Sequence, residues 1–187
     1  MGLSQASYID KVLTRFSIDN SKKGLLPFRH GPLFSKEQCP KIQEERSRIA
    51  GIPYASVVES LMYAMLCTRP NIYFAVSIVS MYQSNPGLEH WTTVKHILKH
   101  LRRTKDYMLI YGRDELIPVG YTDLNFMSDK DLRKLTSGHL FTLEGGAVGW
   151  RNIKHKCIAD STTEVKYIVA CEAAKVQRRL FGSRSSL

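Results

Sequence analysis

The sequence predicts an α+β protein in which a helical first half is followed by a strand-rich second half. Up to about residue 105, apolar side chains recur at helical spacing, and short runs rich in aromatic and β-branched residues follow. A hydrophobic fraction of 43%, with 10% aromatic residues, is sufficient for a packed core. We therefore expect a globular chain with one ordinary domain or two small ones.

Four helices are predicted before the strands begin. Apolar residues within residues 8–16 are spaced as on a short amphipathic helix. A second helix begins near Pro53, since proline suits a first helical turn, and runs to about Leu66; a third covers residues 72–83. The fourth follows a turn at residues 85–87. Its apolar stripe consists of Trp91, Val94, Ile97, Leu98 and Leu101.

The opposite side of the fourth helix is basic, because Lys95, Lys99, Arg102 and Arg103 share one face. The chain has 27 Lys and Arg against 17 Asp and Glu, a formal charge of +10, which favours a polyanionic partner through phosphate contacts and counterion release. A basic helix face is more often only solvated. Both interpretations of these four candidate nucleic-acid-binding residues therefore stay open on charge alone.

A linker is predicted at residues 19–52, since Gly24 and several further glycines and prolines up to Lys41 interrupt any periodic element. Ser161 and Glu164 form a capping box for a helix that reaches about Leu180. Three or four antiparallel strands are predicted between the fourth helix and this last helix. The runs that predict them are residues 107–111, 118–126, 138–143 and 147–153.

Several stretches resemble the Pol polyprotein of copia-type long-terminal-repeat retrotransposons, a retrovirus-related family. The likeness extends from about Leu3 to about Ala174, and its ordered motifs are residues 8–16, 60–70, 90–98, 120–123, 134–138 and 160–164. The resemblance implies four regions and a tail. They are the end of a reverse transcriptase domain at 1–18, the linker at 19–52, a helical connection region at 53–105, a partial RNase H-like domain at 106–181, and a tail at 182–187.

In the intact family, the RNase H domain cuts the RNA strand of RNA–DNA hybrids with two Mg²⁺ ions held by four carboxylates. By resemblance, Asp123 is the first of these metal-binding, catalytic carboxylates. Lys166 stands where the family has the second acid, so an ammonium replaces a ligand and repels the ions. The other two acids belong to a later strand and helix that the sequence does not include. The first strand should then have an open edge.

These residues predict a Pol-derived fragment that binds nucleic acid weakly and without sequence preference, with no hydrolysis and no bound cofactor. Two alternatives stay open. One is an active Mg²⁺-dependent ribonuclease for RNA–DNA hybrids, and the other is an interaction or effector-like protein without enzymatic activity. Further Pol fragments are an additional expected partner.

No membrane partner is expected, because the longest apolar stretch, residues 54–82, is interrupted by Glu59, Arg69, Pro70 and Asn71. The four cysteines lie far apart and show no spacing typical of a metal site. The sequence begins without a basic lead and an apolar segment of the secretory kind. We therefore expect reduced thiols and a cytoplasmic or nuclear location, not secretion.

Overall fold

The computed structural model describes residues 1–28, 34–112, 117–125 and 136–154, and also residues 167, 170, 171, 174, 175, 178 and 182. At residues 123–125, 136, 137 and 152–154 the description covers the backbone alone. The chain divides into two compact units: Gly2–Leu109, the helical unit, and Ile110–Leu187 with Met1, the sheet unit. Helices and antiparallel strands together agree with the predicted α+β class.

The helical unit contains, within the described residues, five α-helices. They are α1 Ala6–Arg15, α2 Gln43–Ala50, α3 Tyr54–Cys67, α4 Tyr73–Ser80 and α5 Leu88–Thr104. Four of them lie where the apolar periodicity predicts helices. The predicted third helix is shorter than expected, since a turn of 3₁₀-helix at Pro70–Ile72 precedes α4 and α4 ends at Ser80.

Helix α2 lies inside the segment that the sequence predicts to be a linker. It has one buried side chain, Ile49, so its sequence shows no apolar stripe. Polar contacts stabilise it instead. The Glu45 carboxylate accepts a hydrogen bond from the Lys41 backbone N–H at 2.9 Å, and Glu44 pairs with Arg48, one turn later, at 2.8 Å.

The core of the helical unit is built by α1, α3, α4 and α5, whose apolar stripes face each other, and by the 3₁₀ turn before α4. Trp91 packs against this core from a partly buried position, as predicted. The buried members of the core are Ile9, Val12, Leu13, Tyr54, Val57, Val58, Leu61, Ala64, Met65, Ile72, Ala75, Val76, Val79, Val94, Ile97, Leu98 and Leu101.

A two-stranded sheet joins β1 (Gly2–Ser4) to β2 (Met108–Ile110). The sequence predicts a strand at residues 107–111 but gives no sign of β1, which has only three residues. Gly2 lies close to Met108, since a Cβ on Gly2 would be 3.1 Å from the Met108 sulfur. The first predicted strand therefore pairs with β1, at the beginning of the chain.

The sheet unit contains a three-stranded antiparallel sheet in the order β3-β4-β5, formed by Pro118–Asn125, Thr136–Leu143 and Gly146–Lys154. These strands lie where the sequence predicts them. Glu144 and Gly145 connect β4 to β5, and both have positive φ angles, 49° and 78°, as a type I′ hairpin turn requires. Among the described strands, β3 has β4 as its one neighbour.

The predicted helix from Ser161 to about Leu180 lies outside the described residues, apart from isolated positions, and so does Lys166. In the described part of the chain, no single helix is long and apolar enough to cross a membrane. The pair α2 and α3, bent by 55°, reaches that length and composition only when the two helices are taken together.

Candidate nucleic-acid interface

The basic helix α5 begins at a turn that only glycine fits. The Gly87 N–H donates a hydrogen bond to Nδ1 of His90 at 2.8 Å, which satisfies one free donor at the helix start. A Cβ on Gly87 would collide with the backbone oxygen of Gln38. Because Gly87 and His90 fix the first turn, the positions of all later side chains on α5 follow from the helical geometry.

Helix α5 has one buried and one basic side. The buried side chains are His90, Thr93, Val94, Ile97, Leu98, His100, Leu101 and Thr104. At about 100° per residue, the four predicted basic residues fall within an arc of about 100° on the other side. This set, Lys95, Lys99, Arg102 and Arg103, is called the α5 basic face below. The structure thus brings together all four residues that the sequence singles out.

The charges of the α5 basic face are not neutralised within the described part of the chain. Arg103 is exposed and the other three side chains are half-buried, and none of the four has an ion pair there. Lys105, just after the helix, differs because it pairs with Asp10 at 3.1 Å. Among the described residues, the face therefore presents cations without an ion pair, and such cations can bind phosphates.

Buried polar contacts hold the C-terminal end of α5 in place. Arg69 is 3% exposed, and its Nη2 donates to the carbonyl oxygen of Lys105 at 2.7 Å. Burial lowers the pKa of Arg69, and the nearby Asp106 opposes this shift. The hydrogen bond from Arg69 therefore fixes the backbone just after the last turn of α5, which contains Arg102 and Arg103.

Residues 22–25, called the Lys22–Leu25 strap below, cross α5 at Lys99 and His100. The Gly24 N–H donates to the Lys99 carbonyl oxygen at 3.0 Å, and the Leu25 carbonyl oxygen lies 2.9 Å from Nδ1 of His100. Sequence reasoning placed Gly24 in the linker and did not anticipate this contact. No local pattern could reveal it, since the partners are about 75 residues apart.

His100 is the side chain that joins the strap to the helical core. Its Nε2 lies 2.8 Å from Nδ2 of Asn71, so both ring nitrogens have partners. Burial lowers the pKa of His100; the hydrogen bond to Leu25 opposes the shift, and the neighbouring Arg69 and Arg103 add to it. The neutral ring with its proton on Nδ1 suits a carbonyl acceptor at Leu25 and an amide donor at Asn71.

The second candidate site rests on Asp123, which lies in β3 and pairs with Gly138 of β4. Its side chain and the whole of Lys166 are outside the description, so their predicted roles stay predictions. Among the described residues, no group of three or more His, Cys, Asp or Glu could hold a metal ion. Two divalent cations need several anionic oxygen ligands, and Asp123 supplies a single carboxylate.

Comparison with known proteins gives the chain its family. It is 47% identical over 173 residues to the retrovirus-related Pol polyprotein from transposon TNT 1-94 of Nicotiana tabacum, and 26% identical over 166 residues to that from transposon RE2 of Arabidopsis thaliana. These alignments cover 92% and 88% of the chain, but the chain spans only 13% and 11% of those polyproteins.

A shorter protein is similar as well. The secreted RxLR effector protein 161 of Plasmopara viticola is 39% identical over 125 residues, which are 66% of the chain and 88% of the effector. No protein-family model and no solved structure matches the chain. The two polyproteins define a class of retrovirus-related transposon proteins. The chain belongs to the copia-type, retrovirus-related Pol polyprotein family, which confirms the resemblance seen in its motifs.

Proposed function

We propose that this Pol-derived chain binds the phosphate backbone of nucleic acid through the α5 basic face, without sequence preference, and does not hydrolyse its ligand. The observation that carries the proposal is the set of four cations on one side of α5 that have no ion pair among the described residues. We also propose that β3–β5 are the first strands of an RNase H-like fold, and that the protein works in the cytoplasm or nucleus.

The geometry of α5 suits a phosphate backbone. Lys95 and Arg103 are eight residues apart, about 12 Å along a helix axis, and one duplex strand presents a phosphate about every 3.4 Å of its own axis. Each phosphate that a cation neutralises releases bound counterions, so binding must weaken as salt increases. Contacts of this kind give affinity without reading bases.

Binding can be measured by fluorescence anisotropy with a labelled 20-base-pair RNA–DNA hybrid at 50–200 mM NaCl. If all four cations contact phosphates, their joint replacement by Ser flattens the slope of log K against log salt by about 3.6. The matched control replaces the exposed cations Lys11, Arg15, Lys41 and Arg46, which lie outside α5. It changes net charge equally and should flatten the slope far less. Equal effects of the two variants would contradict the proposal.

The proposed lack of hydrolysis rests on the donor set. Lys166 occupies the position of the family's second acid, and a cation at that place disfavours divalent ions. With a quenched RNA–DNA hybrid and Mg²⁺, we expect no cleavage by the unmodified chain. Cleavage that disappears in Asp123→Asn would overturn this part and establish the alternative, an active hybrid ribonuclease.

The similarity to the Plasmopara viticola effector favours a second candidate, an interaction protein without nucleic-acid binding. The sequence lacks an Arg-x-Leu-Arg motif, which counts against that candidate. The binding experiment separates the two. No salt-dependent affinity for hybrid, duplex or single-stranded DNA in the unmodified chain would favour the interaction protein.

A further inference from the structure

The Lys22–Leu25 strap contains two further cations and contacts α5 at Lys99, a member of the α5 basic face. Lys22 and Lys23 directly precede Gly24, whose N–H is bonded to the carbonyl of Lys99, a member of that face. Both lysines are exposed, and neither has an ion pair among the described residues. Two cations that are far from α5 in sequence are thus one and two residues away from a backbone contact with the α5 basic face.

The close fit of the strap depends on Gly24. A Cβ at this position would lie 3.0 Å from Cβ of Lys99 and 3.2 Å from the backbone nitrogen of His100. Both neighbours belong to the rigid middle of α5, so they can yield little. A branched side chain at position 24 must therefore push the strap outward and break the hydrogen bond to Lys99.

A second contact, between His100 and Leu25, also anchors the strap to α5. His100 is 8% exposed and fixes the Leu25 carbonyl, while Asn71 fixes the other side of the imidazole ring. Like charges that converge on one surface repel each other and weaken the folded state. A polyanion that binds across these cations would offset the repulsion. Solvation of the surface gives no reason for the cations to be held close together.

We propose that Lys22 and Lys23 form a second arm of the phosphate-binding surface and that Gly24 and His100 are positioning residues that hold this arm beside α5. The inference rests on the proposed function. Its partner is the same phosphodiester backbone, which the strap and the helix contact together. The α5 basic face alone would give up to four phosphate contacts, and the strap raises this number to six.

The test compares Lys22→Ser/Lys23→Ser with the control Lys11→Ser/Lys41→Ser, which removes the same charge from exposed positions elsewhere. With the labelled RNA–DNA hybrid, the strap variant should flatten the slope of log K against log salt by about 1.8, since two phosphate contacts are lost. The control should change it far less. If both variants alter the slope equally, the strap contributes only net charge and the inference is wrong.

Gly24→Val separates position from charge, since it keeps every cation and displaces the arm. We expect Gly24→Val to flatten the slope of log K against log salt as much as Lys22→Ser/Lys23→Ser does. The triple variant, with Gly24 and both lysines replaced, should flatten the slope no further. Gly24→Val with unchanged binding would overturn the positioning role of Gly24. Its thermal unfolding must be recorded alongside, to show that the helical unit is still folded.

A measurement on the unmodified chain avoids any folding problem. Lysine acetylation followed by mass spectrometry should show hybrid protecting Lys22 and Lys23 together with Lys95 and Lys99, but not Lys11 or Lys41. Protection of the α5 lysines alone would leave the proposed function standing and refute the second arm. A chain with no affinity for the hybrid would refute both.

Discussion

The helical unit and the sheet unit bury their apolar residues very differently, although the sequence predicts regular elements in both. In the helical unit, seventeen buried residues from four α-helices and the short 3₁₀ turn make one core. In the described part of the sheet unit, Phe141 and Ala147 are the buried hydrophobic residues, while Val119 and Tyr121 stay 43% and 57% exposed. Periodicity thus predicts an element and its apolar face but not whether anything covers that face.

The sharpest test of this difference is a large-to-small substitution in each unit. Leu98 in α5 is fully buried, so Leu98→Ala should lower the free energy of unfolding by about 2–5 kcal/mol. Tyr121→Ala in β3 should change it by about 0.5 kcal/mol or less, as for other exposed positions. Urea unfolding followed by circular dichroism at 222 nm measures both. Equal losses would mean that Tyr121 is covered in solution.

The second prediction concerns His90, which is fully buried between aromatic rings. It stacks on Tyr82 with ring centres 4.1 Å apart, and burial lowers its pKa to about 4, against about 6.5 in an unfolded chain. The folded state therefore favours the neutral ring. The contribution of His90 to the free energy of unfolding is fully present above pH 6.5. It decreases by about 3 kcal/mol as the pH drops to 4, because over this interval the unfolded chain takes up the proton more readily than the folded chain.

His90→Asn is the control, since its amide oxygen can still accept the Gly87 N–H. This variant is less stable at pH 7, but it should lack the part of the pH dependence that His90 causes. The measurement is the free energy of unfolding from urea titrations between pH 7 and pH 4. If the variant loses stability over this interval as steeply as the unmodified chain, other groups are responsible.

Prediction from sequence succeeded where a regular element has a local signature. The stripe from Val94 to Leu101 predicted α5 and both of its sides, and short runs rich in aromatic and β-branched residues predicted β3, β4 and β5. The four cations of the α5 basic face were found for the same reason. When one side of a helix is buried, the residues at the remaining positions lie next to each other on its other side.

Prediction failed where a structure depends on single polar contacts or on distant partners. Helix α2 was missed because Ile49 is its one buried residue and hydrogen bonds replace the apolar stripe. The contact of Gly24 with α5 depends on the packing of separate segments. The role of Asp123 came from family resemblance alone, and the backbone position in β3 leaves it a prediction.

The third prediction compares one hydroxyl group in each unit. The Tyr54 hydroxyl donates to the Val79 carbonyl at 2.9 Å, and that of Tyr111 donates to the Ala147 carbonyl at 2.6 Å. Tyr54 is 3% exposed, whereas Tyr111 is only partly buried, and burial raises the pKa of both hydroxyl groups. We expect Tyr54→Phe to cost about 1 kcal/mol and Tyr111→Phe to cost less, since water can replace a partly exposed bond.

Both substitutions are compared by thermal unfolding of the full chain. A larger loss of stability for Tyr111→Phe would show that the hydrogen bond to Ala147 stabilises the fold more than the buried hydrogen bond of Tyr54 does. The difference in burial would then not decide the strength of these two contacts.

The last prediction concerns association and not stability. Among the described strands, the far edge of β3 has no neighbour, and an exposed edge with β-branched and aromatic residues is a template for pairing with a second strand. Val119→Lys should change the unfolding free energy by less than about 0.5 kcal/mol, because the site is exposed. It should nevertheless reduce concentration-dependent association, measured by light scattering. The control is Leu66→Lys on α3, which also replaces an apolar side chain with a charged one at an exposed position; Leu66 is 61% exposed. A similar reduction by Leu66→Lys would trace association to added charge in general, because α3 has no free backbone edge to offer.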